Sequence, residues 1–347
     1  MNEVLCGYYG KLPVSPEFLR LHASGPELRW LDEWLQQGIL YAKTQEGAAW
    51  AEQIAQASPY EFFYLPNHEG RVVYGAIMAS QDKAGRSFPF TSYALLERHD
   101  FVLTPWLIPV ATSAFIHDRT LAIRKLREDL NWDAFRRAVE DQVIQEPDLA
   151  HAIETFNRFT QSTTVRQWWE EDATCRGEAT QLAVGQLFAQ VAQVPYRDQD
   201  SIRFPIGREG TSDNLDLAFW LQVYLQRQSG TGHPHAGLLC FWKRDPSHGA
   251  ALLSIGPGSP NIVRFLVNPV VRDDAWWDVM ASVSGQVLAR TEGAAQPPTI
   301  DLQDSLMTVA QLMRYHMERA GTTVERMGPT AIRRGLATLA VCVPYST

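Results

Sequence analysis

Arg71-Val72-Val73-Tyr74-Gly75-Ala76-Ile77-Met78-Ala79-Ser80-Gln81-Asp82-Lys83-Ala84-Gly85-Arg86-Ser87-Phe88-Pro89-Phe90-Thr91 is the stretch on which the fold turns. Its first part is an apolar run rich in Val, Ile and Tyr, which reads as a strand buried on at least one face. A second such run begins at Ser87 and continues to about Leu96. Between them lies a polar turn, where Asp82 can accept from nearby backbone amides and Gly85 relieves crowding at the exit. The two runs therefore predict a β-hairpin whose exposed tip carries Asp82, Lys83 and Arg86. In the plainest reading Asp82 clasps the turn and Arg86 pairs with it at the surface, a weak contact.

Upstream of the hairpin, Phe62-Phe63-Tyr64-Leu65 is a further short strand. Three closely spaced strands with short connections cannot be parallel neighbours, so the sheet is antiparallel. Residues 3–13 read as a first strand ending at Pro13, because the residue before a proline is pushed toward extended geometry. Ser24-Gly25-Pro26-Glu27 reads as a capping box with proline in the first turn, announcing a helix. Leu28, Leu31, Trp34 or Leu35, and Ile39 then mark its buried stripe. A second helix covers about 47–57, and helical patterns run through 105–130 and 133–143. The expected class is α/β, an antiparallel central sheet flanked by helices, with a C-terminal α/β extension.

The pattern from 145 to 161 is more polar and Pro147 interrupts it, which places a division between 1–145 and 146–347. The second part repeats the order of the first: a strand at 202–207, a helix at 215–226, then strands at 237–244 and 250–256 at hairpin distance. It is either a smaller α/β unit or an extension of one continuous layer. Helices are expected at 183–191, at 274–289 and, most clearly amphipathic, at 301–320, before an apolar run at 336–343.

Composition narrows the partners. A net charge of -8 over 347 residues repels phosphate backbones and anionic lipid, so nucleic acid and direct membrane insertion are not expected. No stretch approaches eighteen consecutive apolar residues, and the N-terminus has no basic region before an apolar core, which points to the cytoplasm. The four cysteines, Cys6, Cys175, Cys240 and Cys342, show no Cys-x-x-Cys pair and fit reduced thiols.

Candidate chemistry is sparse. Gly7-Tyr8-Tyr9-Gly10-Lys11 lacks the spacing and the Ser or Thr of a phosphate loop, and its glycines suit close backbone packing. His117-Asp118 lacks companion ligands, and His233-Pro234-His235 reads as a turn. Neighbouring acids such as Glu170-Glu171 and Asp273-Asp274 diverge on any regular element. Trp168-Trp169-Glu170-Glu171-Asp172 reads as a helix start with its aromatics inward. No catalytic residue, metal or cofactor is expected.

Three segments resemble a known family in the same order. Gly7-Tyr8-Tyr9-Gly10-Lys11-Leu12-Pro13 is similar to the opening "G-F-Y-G-K-L-P" of the TagF (ImpM) proteins, Trp34-Leu35-Gln36 matches on the first helix, and Ser80 to Thr91 resembles their "S-V-D-x-x-G-R-x-F-P-L-T". The chain departs from that pattern at Val14-Ser15-Pro16-Glu17-Phe18, where the family has a small residue and Gly-Asp-Phe, and at Ala79 and Gln81. The resemblance implies a longin- or profilin-like N-terminal domain. It further implies a posttranslational repressor of type VI secretion, acting in the cytoplasm through the FHA-domain scaffold protein. Some relatives carry a fused PP2C-type phosphatase, whose motifs are absent here. Under this reading Lys11, Asp82, Lys83 and Arg86 are the partner-binding candidates. Gly7, Gly10, Pro13, Trp34, Gly85, Phe88 and Pro89 are the structural motif. The alternative is a hydrolase or phosphoprotein-directed enzyme with an active site that leaves no motif.

Overall fold

The computed structural model describes residues 4–66, 70–98, 101–164, 201–208, 213–228, 237–245, 249–255, 259–268 and 276–278, together with Gln167, Val271 and Gln311. The first half holds β1 (Leu5–Gly10), β2 (Leu19–Leu21), α1 (Pro26–Glu46), α2 (Trp50–Gln56), β3 (Tyr60–Leu65), β4 (Val72–Met78) and β5 (Phe90–Leu96). Helices α3 (Ile108–Ala111), α4 (Ser113–Asp129), α5 (Trp132–Glu140) and α6 (Leu149–Ser162) follow. Farther along come β6 (Ser201–Ile206), α7 (Leu215–Gln228), β7 (Leu238–Arg244), β8 (Gly249–Ile255), α8 (Val263–Val267) and β9 (Trp276–Asp278).

All nine described strands form one sheet, in the order β2-β1-β5-β4-β3-β7-β8-β6-β9. Every pairing is antiparallel except the short one of β6 with β9 at the edge. The class is thus α/β with an antiparallel sheet flanked by helices. The hairpin β4–β5 lies inside the sheet, and β4 is buried along its whole length. Its side chains alternate between faces, with Val72, Tyr74, Ala76 and Met78 on one and Val73 and Ile77 on the other. This is why the run reads as continuously apolar: helices cover both sides.

One face is covered by α3 to α7, whose Ile116, Ile123, Phe135, Phe156 and Trp220 share its core. The opposite face is covered by α1, α2 and α8 through Leu31, Trp34, Ile54 and Phe265. The sheet crosses the 145/146 division without a break, because β3 pairs with β7 from Glu61↔Trp242 to Leu65↔Leu238. Trp34 of α1 likewise stacks on Phe241 of β7 at 5.8 Å.

Three expectations are corrected. The segment at Ser24 to Glu27 does not form a capping box: Gly25 is the N-cap with no side-chain bond, and Pro26 opens α1. The carboxylate of Glu27 turns instead to Arg71, at 2.9 Å, a charge-assisted contact that outcompetes a backbone amide. The second strand of the central hairpin begins at Phe90 and not at Ser87. Pro89 has no amide to give to a ladder, and Ser87 makes only an isolated bridge to Gln81. The helix expected at 274–289 starts instead as strand β9, with Trp276 buried edge-on to Phe265 at 6.2 Å. Residues 279–289 lie outside the described ones, as do the segments at 168–172, 183–191, 233–235, 301–310 and 312–347.

Candidate interaction surface around the Asp82 turn

Antiparallel pairing of β1 with β5 brings the end of β1 beside the start of β5, so the loop at 11–18 and the turn at 79–89 are neighbours. Close approach makes the two β1 glycines necessary. A Cβ on Gly10, which has φ +132, would overlap the Pro89 carbonyl, and one on Gly7 would meet Leu21 O at 2.5 Å. They pack backbone on backbone, with Gly10 under the proline of the second signature.

Asp82 joins the two segments. Its Oδ1 accepts from the amides of Ala84 and Arg86, each at 2.9 Å, which closes the turn over Gly85 at φ +79. Its Oδ2 accepts from Arg86 Nε at 2.7 Å and from Lys11 Nζ at 3.0 Å. Arg86 continues to the Pro16 carbonyl at 2.5 Å, and the Lys83 amide donates to Ser15 O at 3.1 Å. Two loops 70 residues apart are therefore fastened into one rigid piece.

The exposure of these residues differs from the expected tip. Asp82 is buried, with 2% of its surface left, because both oxygens are consumed by the turn and its two cations. Lys11 is also largely covered, since its ammonium lies over the same carboxylate. Only Lys83 and Arg86, whose side chain is 63% exposed, face outward. Burial alone would push the Asp82 carboxyl up, but the hydrogen bonds from the Arg86 amide and from the Lys11 and Arg86 side chains more than reverse this. They hold it well below the ordinary carboxylate range.

The remaining motif residues are structural. Phe88 is buried against Tyr9 and Phe18 at 5.7 and 4.8 Å, and its amide donates to Ser80 O at 3.0 Å. Trp34 is buried between Trp30 and Phe241. Pro13 is exposed at the lip of a pit of about 220 Å³. That pit is lined by Leu12, Val14, Ile54, Met78, Leu126 and Leu130 among others, and by Arg127, which donates to the Ala55 carbonyl. Reading the sequence missed the pit because four separate segments build it. The available signal was the apolar residues that follow Lys11 and precede Asp82.

Residues 7–142 match the family model of the TagF N-terminal domain, described as type VI secretion system-associated. This stretch is similar to TagF N-terminal domains. It spans less than half of the chain, and it contains both signature loops, α1 with Trp34, and the pit. The chain is also similar to the crystal structure of PA0076 from Pseudomonas aeruginosa PAO1. That likeness covers 78% of this chain and 96% of that one at 16% identity, with a TM-score of 0.37. No curated protein matches the chain.

A second recess lies where residues 7–142 meet the rest of the sheet, a cleft of about 610 Å³ bordered by Glu61, His117, Arg124, Asn214, Trp242 and Arg244. Burial raises the Glu61 carboxyl above its usual range, against the opposing pull of Arg244, Trp242, His117 and Arg124. Trp242 stands directly across from Glu61 in the β3–β7 ladder, with its buried indole nitrogen lacking a hydrogen bond of normal geometry. His117 and Asp118 both sit on the exposed side of α4.

Proposed function

We propose that the protein is a non-enzymatic accessory protein of the type VI secretion system, repressing assembly of the apparatus by binding its FHA-domain scaffold protein in the cytoplasm. The observation that carries this reading is the fusion of two signature segments of the TagF domain into one stiff surface. The buried Asp82 spends its charge on holding Lys11 and Arg86 in place. A carboxylate so consumed does no chemistry on a substrate, but it fixes Arg86, which faces outward, and a fixed charge orients and selects a partner.

The test is capture of the scaffold from cells carrying the secretion cluster, together with secretion measured on overproduction of the full chain. Retention of the scaffold and a fall in secreted substrate of tenfold or more are expected. Secretion unchanged while the protein accumulates would sink the reading.

A second reading, a hydrolase, is favoured by one observation, the raised Glu61 in the cleft at the seam. A thermal-shift screen with nucleotides and divalent cations separates the two, since a ligand of that cleft would raise Tm and the same gain would be lost in Glu61→Gln.

A further inference from the structure

The cleft at the seam of the sheet contains a carboxylate left without a partner by the rest of the fold. Glu61 is the one charged residue of β3, and it stands half-buried on the face that α4 covers, lining the cleft of about 610 Å³. Among the described residues no ion pair and no hydrogen bond of normal geometry reaches it, and the buried indole nitrogen of Trp242 across the ladder stays unbonded as well. The cations of β7 are committed elsewhere. Arg244 is held by Asp216, Gly207 and Asn214, and Lys243 by Asp245 at 3.1 Å. A carboxylate set into a strand without a partner costs stability, so its retention asks for a reason outside packing.

Charge is not what Glu61 lacks. Arg244, His117 and Arg124 already face it, so a further cation gains little, and an anion is repelled by the carboxylate itself and by Asp213 at the rim. What its two oxygens can take is a pair of uncharged donors, side by side in the parallel geometry that carboxylates favour. The wall adds a shape. Ala114, His117, Leu121 and Arg124 follow at helical spacing down the side of α4 that lines the cleft, and Leu121 is 44% exposed there. Ala114 and Leu121 give that wall an apolar strip against which a flat ring can lie. The volume falls in the range of small-ligand sites, roughly 300–1,000 Å³, and such sites favour the meeting of two units of a chain.

We infer that this cleft binds a nucleoside-type ligand through a flat heterocycle whose edge gives two adjacent N–H groups to Glu61 while its face rests on Leu121 and Ala114. Of the common nucleobases only guanine carries two such donors side by side, its ring N–H and its 2-amino group, and bases outside a duplex are read by this edge and by stacking. Binding of this kind needs no turnover and does not involve the Asp82 surface, so it goes beyond the scaffold contact proposed above and names a ligand for the cleft.

The test titrates guanosine into the full chain by isothermal calorimetry. Beside it run inosine, which lacks only the 2-amino group, and 2′-deoxyguanosine, which keeps the base and breaks the ribose diol. Guanosine is expected to bind with Kd below about 1 mM, 2′-deoxyguanosine within about twofold of it, and inosine at least tenfold weaker. Glu61→Gln replaces one acceptor by a donor and should weaken guanosine at least tenfold, while Leu121→Ala, at an exposed side chain, should weaken it several-fold with Tm unchanged. Guanosine that does not bind, or inosine that binds as well as guanosine, overturns the inference. So does 2′-deoxyguanosine losing affinity while inosine keeps it, because the carboxylate then holds a diol and not a base. Should Glu61→Gln fail to fold, the inosine comparison and Leu121→Ala still decide. Capture of the scaffold is run on the same variants and should match wild type. If guanosine fails and the scaffold is captured, the cleft inference falls and the proposed function stands; if guanosine binds and the scaffold is not captured by wild type, the reverse holds.

Discussion

Two buried aspartates in this molecule meet arginines, and they do opposite things. Asp82 takes the guanidinium of Arg86 four residues away, within one turn, and leaves most of that arginine in water. Asp216, at the start of α7, takes Arg244 from the end of β7, through paired contacts at 2.6 and 2.9 Å, and here the arginine is only 10% exposed. Arg244 also donates to Gly207 O at 2.8 Å and Asn214 Oδ1 at 3.3 Å, while Asp216 accepts from the Gly207 amide at 2.6 Å. Asn214 in turn donates to Pro109 O at 3.1 Å. One node ties a surface turn to a neighbouring loop; the other ties β6, α7, β7 and the start of α3 together in the interior. Identical chemistry thus serves display in one place and assembly in the other, and the arginine's exposure decides which.

The contrast predicts unequal consequences. Asp216→Ala strands a nearly buried guanidinium among carbonyls, and breaking such a pair costs about 3–5 kcal/mol. Thermal unfolding should fall by about 4–7 °C, with amide exchange accelerating through β6, α7 and β7 together. An Asp216→Ala protein that melts within a degree or two of wild type would remove the distinction between the two nodes. Asp82→Ala should do less, lowering Tm by about 1–3 °C. Faster exchange should be confined to the amides of Ala84 and Arg86 and to the loop at 11–18, since Arg86 can return to solvent. Capture of the scaffold should nevertheless drop more than in Asp216→Ala measured well below its melting point. If exchange instead spreads through β4 and β5, the turn is part of the sheet's framework and display is the wrong description.

The same asymmetry explains what could be read from residues alone. The Asp82 turn was legible because its partners are close in sequence and its Asp and Gly sit where turn geometry puts them. Its burial was not legible, because Lys11 arrives from 71 residues away through the pairing of β1 with β5. The Asp216–Arg244 node left no trace, since an Asp on a helix and an Arg ending a strand are each ordinary. Nothing local announces that β3 pairs with β7, either. Glu61 and Trp242 become neighbours only when the edge of the first hairpin system is capped by the second. Periodicity located β1, β3 to β8 and most helices of the described residues, but not the short β2, nor α6, which lies in the stretch read as a division. It failed at Trp276, where three residues of aromatic and acid satisfy a helix start and a parallel edge strand equally well.

The sharpest small effect lies in acid. Because the Asp82 carboxyl is held well below its ordinary range in the folded protein, its charged form contributes stability in full above its unfolded value, about 3.9. That contribution is lost as pH falls through the lower folded value. Asp82→Asn keeps the shape of the side chain and the bonds from the two amides but gives up the charge that holds Lys11 and Arg86. The Tm difference between wild type and this variant should therefore stay constant from pH 7 down to about 4 and close only below that. A difference that shrinks between pH 7 and pH 5 would mean that the Asp82 carboxyl is raised above its ordinary range in the folded protein. Lys11 and Arg86 would then be held by something other than its charge.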